Sequence, residues 1–259
     1  MIKIKNKREL QLMREGGKRL SEVVQAALFL VKPEMSTLEL NGIIEREMID
    51  RELVPVCKGY AGYEHASCIS VNDVVIHGIP SKNVVLKNGD FVTLDVVGAY
   101  RGYCVDMARS FSIGIMSDTA RRMVQAGQEA LDLAIKHIRP GVRLSDISAI
   151  IQKRIEVDGF GVIRDYAGHG IGRSMHESPE IPNYGKPGEG PILRSGMTLA
   201  IEPMLTEKGY QVDLDKDGWT VRTRDGALGA HVEDTIAVTD VGAEILTRPS
   251  SGAIGGNEK

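Results

Sequence analysis

Five residues combine metal-ligating chemistry with surroundings that argue against a surface position. They are Asp95 in FVTLDVV, Asp106 in YCVDMARSF, His169 in YAGHGIG, Glu202 in MTLAIEPM and Glu233 in HVEDTIAV. Each acid interrupts a run of apolar, strand-forming residues where carboxylates are depleted. Buried without compensation, such groups cost many kcal/mol or take up protons. Bound cations convert the repulsion into coordination, and four carboxylates with one imidazole match what two adjacent divalent ions require. Other chemistries find less support. Cys57, Cys68 and Cys104 lack the spacing of a zinc module or a disulfide framework. No G-x-S-x-G nucleophile elbow is present. Gly168, Gly170 and Gly172 form G-x-G-x-G without the strand–loop–helix context of a phosphate cradle.

The elements that must position these donors can be read from periodicity. Leu10, Met13, Leu20, Val23, Val24, Ala27 and Leu30 recur at helical spacing across Lys7 to Val31, and Pro33 ends that helix. Gly16 and Gly17 weaken it or admit a close neighbour. Ser36 and Glu39 form a capping box for a second helix, about Leu38 to Glu52. Residues 57–80 suit loops and short strands. A third helix is expected over Thr119 to His137, and a fourth near Leu144 behind Ser145. The remainder is rich in strands and turns.

Between the helical pairs lies a hairpin, 91–97 and 103–111, joined through Gly98-Ala99-Tyr100-Arg101-Gly102. A turn centred between Tyr100 and Arg101 sets Asp95 directly opposite Asp106, with Cβ atoms about 5 Å apart. A constant offset of 107 superposes Pro33 on Pro140, Leu40 on Ile147, Ile43 on Ile150 and VVLKNGDFVTLD (84–95) on PILRSGMTLAIE (191–202). Asp95 then meets Glu202. This predicts a pseudo-symmetric α+β fold whose two halves bring equivalent acids to one axis.

The 259 residues carry a net charge of −3 and are 42% hydrophobic and 26% charged. This balance gives no electrostatic case for nucleic acid or an anionic membrane as the main partner. No apolar run approaches the roughly 18 residues of a spanning helix, and MIKIKNKREL lacks the apolar stretch of a secretory signal. One unit over 1–248, a flexible tail over 249–259 and a cytoplasmic location are the expectations.

In its order of donors, and in VNDVVIHGIP (71–80), LDVVGAYRGYCVDMARSF (94–111), YAGHGIGRSMHESP (166–179), IEPML (201–205) and 217–239, the chain resembles the type I methionine aminopeptidases of bacteria. The resemblance implies the pita-bread fold and a dinuclear centre of Co, Mn, Fe or Zn. Asp106 and Glu233 would bridge the ions, Asp95 would hold one, and His169 and Glu202 the other. The implied reaction removes the N-terminal methionine of nascent chains and peptides, preferring a small second residue, through attack of a metal-bridging hydroxide. Glu202 would accept its proton, while His176 and His77 would contact the scissile group. Cys57, Tyr60, Tyr63, Cys68, Met175 and Trp219 match the family's methionine pocket. A monomer working near the ribosomal exit tunnel is implied as well.

Departures from the family pattern are Met175 for Phe, Asp234 for His, Glu64-His65 for Pro-Lys and Gly229 for Ser. The last leaves a monovalent-cation site near Asn72 and Val74 open. The alternatives are a proline-specific peptidase of the same fold and a non-catalytic relative.

Overall fold

The computed structural model describes residues 1–248. The tail predicted for 249–259 lies outside them. Among the described residues, four α-helices pack in pairs on a strongly antiparallel sheet. Helix α1 (Lys7–Leu30) starts at a reciprocal cap, in which Asn6 and Glu9 satisfy one another's backbone N–H groups. Helix α2 (Thr37–Asp50) repeats the device with Ser36 and Glu39. Helices α3 (Asp118–His137) and α4 (Leu144–Val157) form the second pair. Helix α4 starts at Leu144 with Arg143, not Ser145, at the cap position. Ser145 instead exchanges hydrogen bonds with Glu189.

The halves repeat at the offset of 107. Helices over 37–50 and 144–157 correspond residue for residue. The isolated bridge Ser36–Val85 recurs as Arg143–Ile192. The bonds Glu34 N to Leu86 O and Thr37 N to Val84 O recur as Gly141 N to Leu193 O and Leu144 N to Pro191 O. Even the left-handed turn residues correspond, Glu34 with Gly141 and Gly89 with Gly196. The α+β pita-bread fold with internal pseudo-two-fold symmetry is therefore visible in the backbone bonding itself.

The largest sheet has nine strands. Across its centre run Phe91–Tyr100, Tyr103–Ser112, Glu233–Val238, Thr198–Ile201, Ala167–Gly170 and Glu177–Pro182, in that spatial order. One apolar core, including Leu20, Leu94 and Val105, lies between α1, α2 and one side of this array. A second, including Leu131, Ile151 and Leu199, lies under α3 and α4. The glycine pair in α1 admits a close neighbour. A Cβ on Gly17 would lie 3.1 Å from Leu246 Cβ and intrude on the Leu246 carbonyl, and one on Gly16 would lie 3.1 Å from Tyr100 Cβ.

The hairpin register differs from the sequence expectation. Tyr100 pairs with Tyr103 across a two-residue turn, so Asp95 faces Ala108 and Asp106 faces Val97. Arg101 and Gly102 both have positive φ (48° and 82°), the signature of a tight hairpin turn whose twist matches its strands. The centre therefore falls between Arg101 and Gly102, one position later than predicted. Because the slip is two residues along one strand, both acids stay on one face, but as diagonal neighbours. Diagonal positions lie about 7–8 Å apart rather than 5 Å, which relieves direct repulsion and leaves room between them.

Candidate functional site

The sheet order explains the convergence. Asp95, Asp106, Glu233, Glu202 and His169 come from five consecutive neighbours in the sheet, Glu202 directly following its strand. All five open into one cavity of about 650 Å³. Asp106 is 4% exposed and Glu233 2%.

Each donor is held by its own element. The backbone of Asp106 exchanges two hydrogen bonds of 2.8 Å with the Thr235 hydroxyl, which completes the strand ladder where main-chain pairing lapses. Asn183 donates to the Glu202 carbonyl at 3.0 Å. Gly168 lets the His169 strand approach: a Cβ there would meet the Ala200 carbonyl oxygen at 2.5 Å and Glu202 Cγ at 3.3 Å. His169 Nδ1 lies 3.0 Å from the Gly170 carbonyl oxygen. A carbonyl can only accept, so Nδ1 carries the proton and Nε2 presents its lone pair to the acids. That Nε2 lies 3.6 Å from Glu202 Oε1 and 3.9 Å from Asp106 Oδ2.

The donor set fits a divalent metal. One ligand atom each from Asp106, His169 and Glu233 lies within 4.8 Å of the others. Asp106 Oδ1 and Glu233 Oε1 are buried with no hydrogen-bond partner among the described residues. Burial, then repulsion from Asp95 and Glu202 (and, for Glu233, from Asp106 first), pushes Asp106 and Glu233 well above the carboxylate range. Burial raises Asp95 to about 6 and Glu202 to about 7. Without cations this cluster holds protons.

Metal ligation needs those carboxylates deprotonated, so loading at pH 6.5 is expected to displace at least one proton per chain. The sign follows: groups titrating above 6.5 are protonated before loading, and apparent metal affinity therefore rises with pH. Calorimetry of Mn(II) binding in two buffers of different ionisation enthalpy measures the release. Identical heats in both would contradict the burial of these charges.

The other sequence candidates surround the donors. Cys57, Tyr60, Tyr63, Cys68, His77, Met175, His176 and Trp219 all line the same cavity. Tyr63 meets Trp219 edge-on at 5.0 Å, and His77 meets Trp219 at 6.4 Å. The Tyr60 hydroxyl lies 3.0 Å from His176 Nδ1, and the His176 ring stands edge-on to His169 at 4.5 Å. Cys57, Cys68 and Met175 are buried. Contact with the Cys68 sulfur, together with burial, pushes the Cys57 thiol well above its usual range, so this wall carries no charge there. Burial brings His77 down to about 4 and also lowers His176, which leaves both rings neutral at physiological pH.

Two residues escaped the sequence reasoning. His231 lines the cavity beside Glu202 and Glu233. Strand alternation in His-Val-Glu, which puts 231 and 233 on one side, was the available signal. Asp234, noted only as a departure, is fully buried and accepts from Arg109 (2.7 Å), Arg248 (2.6 Å) and the Thr247 hydroxyl (2.9 Å). Arg109 also donates to the Glu233 carbonyl, so this ion network fixes the backbone that carries a donor. At Gly229 no side-chain oxygen is available, and a Cβ would lie 2.8 Å from Val75 Cγ2.

A pita-bread scaffold with buried carboxylates and an imidazole on adjacent strands defines a class of metal-dependent hydrolases. Residues 11–240 match Metallopeptidase family M24. The chain is 44% identical to the methionine aminopeptidase of Clostridium acetobutylicum over 95% of its own length and 99% of that protein. It superposes on the crystal structure of methionine aminopeptidase from Thermotoga maritima with a TM-score of 0.94 at 43% identity, covering 96% of this chain and 100% of that one. The prolidase from Pyrococcus furiosus shares the fold alone: TM-score 0.78, 23% identity, 95% of this chain and 66% of that one. The chain belongs to the bacterial type I methionine aminopeptidases of family M24. As a metallopeptidase it uses divalent metal.

Proposed function

We propose that the protein removes the N-terminal methionine of nascent proteins and peptides, favouring a small second residue. Residues 1–248 act as one catalytic unit. The observation that carries this reading is the juxtaposition in one cavity of five metal donors with a wall of thiols, a thioether and aromatic rings. Such a wall suits methionine, because sulfur–aromatic contacts are favourable and the surface is apolar. The proline-specific alternative has only the shared fold in its favour.

Two divalent ions, drawn from Mn, Fe, Co or Zn, would be held in this reading. Asp106 and Glu233 would contribute to both, Asp95 to one, and His169 with Glu202 to the other. When bound, the ions acidify water and polarise the peptide carbonyl. The chain's residues do the rest. Cys57, Tyr60, Tyr63, Cys68, Met175 and Trp219 seat the methionine side chain. His77 and His176, both neutral, orient the scissile amide and hydrogen-bond the tetrahedral species. Glu202 accepts the proton of the attacking water and returns it to the leaving amine. A cytoplasmic monomer acting on chains that emerge from the ribosome fits this role. No helix among the described residues is long and apolar enough to cross a membrane.

Met-Ala-Ser, Met-Lys-Ser and Ala-Pro-Ser, assayed after chelation and after adding back one metal at a time, test the reading. Met-Ala-Ser is expected to be cleaved only with metal and at least about tenfold faster than Met-Lys-Ser, with Ala-Pro-Ser untouched. Cleavage of Ala-Pro-Ser with Met-Ala-Ser intact would replace this function with the proline-specific one. The add-back series ranks the metals.

A further inference from the structure

His231 is 3% exposed, and both of its ring nitrogens are buried without a hydrogen-bond partner among the described residues. A neutral imidazole always carries one N–H, and leaving a buried donor unpaired is costly. Two acceptors face Nε2: Glu202 Oε2 at 3.5 Å and Glu233 Oε2 at 3.8 Å. The other oxygen of Glu202, Oε1, faces His169 Nε2 at 3.6 Å. The Glu202 carboxylate thus lies between two imidazoles.

The imidazoles are not equivalent. His169 spends its proton on the Gly170 carbonyl and offers a lone pair inward. No carbonyl takes the His231 proton, so the arrangement that satisfies the ring places it on Nε2, toward Glu202. The backbone prevents the ring from retreating. Met204 pairs with His231, and Val232 N donates to the Pro203 carbonyl at 3.1 Å, which ties the His231 segment to the residues just after Glu202. On its other side the Ser110 hydroxyl accepts from His231 N at 3.1 Å and donates to its carbonyl at 2.9 Å.

We propose that His231 is a positioning residue: its Nε2–H donates to Glu202 Oε2 and fixes that carboxylate for metal holding and proton transfer. The proposal rests on the role given to Glu202 above. Outer hydrogen bonds of this kind orient a ligating carboxylate, and their loss typically costs about 10–100-fold in metal affinity or activity.

The test compares His231→Leu, which keeps bulk without a donor, with His231→Gln, whose amide N–H restores one. Two readouts are needed: Co(II) affinity with its visible spectrum, and kcat against KM on Met-Ala-Ser. His231→Leu should bind Co(II) with unchanged stoichiometry and spectral shape but about tenfold weaker, and should lose about 10–100-fold in kcat at near-constant KM. His231→Gln should recover both to within about threefold of the parent. Three results would overturn the proposal: a leucine variant equal to the parent, a glutamine variant no better than leucine, or a leucine variant whose Co(II) spectrum shows loss of a nitrogen ligand. The last would make His231 a ligand. A parent protein that binds Co(II) yet cleaves no methionyl peptide sinks the peptidase reading instead, while the affinity series still decides the His231–Glu202 contact.

Discussion

Replacing Glu202 by alanine is expected to lower kcat on a methionyl peptide by about 10²–10⁴-fold while KM stays within a few-fold, the range typical of losing a positioned acid–base group. The methionine side chain would bind through residues that Glu202 does not touch, so ground-state recognition survives its loss. The proton of the attacking water, by contrast, then has no acceptor placed to take it. In the proposed reading Asp106, Glu233, Asp95 and His169 would remain as metal donors, so a weakened metal affinity would be overcome by assaying at saturating metal. Steady-state kinetics across a metal titration provide the measurement. A variant with near-normal kcat at saturating metal would remove Glu202 from the proton-transfer role.

Asp106→Asn is expected to change stability in opposite directions with and without metal. In the metal-free protein Asp106 is buried, its Oδ1 lacks a partner, and Asp95 and Glu202 act on it repulsively. Asparagine keeps the shape, removes the charge and offers N–H groups to Glu233. A gain of about 1–3 kcal/mol is the scale of relieving one such charge. For a chain of this size that corresponds to a rise of roughly 2–10 °C in Tm. The pH dependence has a definite sign. A carboxylate raised by burial keeps its proton in the folded state over a range where the unfolded state has lost it. Metal-free stability attributable to these acids therefore falls as pH rises above about 4.5 through 7. The advantage of Asp106→Asn should accordingly be larger at pH 8 than at pH 5.

Added metal reverses the order. The parent gains about 2.7 kcal/mol when metal stands at 100 times its Kd, whereas the variant, short of a donor facing both neighbours, gains far less. Thermal melts at pH 5 and pH 8, with chelator and with metal, read all four conditions. A metal-free variant that melts below the parent at pH 8 would show that repulsion among these acids is not the dominant force in the empty cluster.

Much of this protein was legible along the chain. The types of the five donors, and the apolar runs they interrupt, already pointed to cations, because the few basic groups in those segments, Arg109 and His231, are too few to balance four such acids. Helix ends were also local: Ser36 and Glu39 cap α2 with groups three residues apart, and Pro33 stops α1 by its own covalent geometry. The offset of 107 anticipated a symmetry that the backbone bonds obey. Each of these features is written in neighbouring residues or in the register of the sequence against itself.

What the tertiary structure alone decided has a different physical origin. The two-residue slip of the hairpin depended on Arg101 accepting a positive φ, a choice settled by the twist of the whole strand pair rather than by residue type. The approach of His231 to Glu202 links segments that meet through strand pairing, Met204 with His231 and Asp234 with Ile201, and through the bond from Val232 N to the Pro203 carbonyl. Asp234 looked like a lone substitution until Arg109 and Arg248 were seen to close on it from 125 and 14 residues away. Patterns of propensity and spacing act over a few residues, whereas electrostatic satisfaction of a buried group depends on whichever distant strand folds beside it.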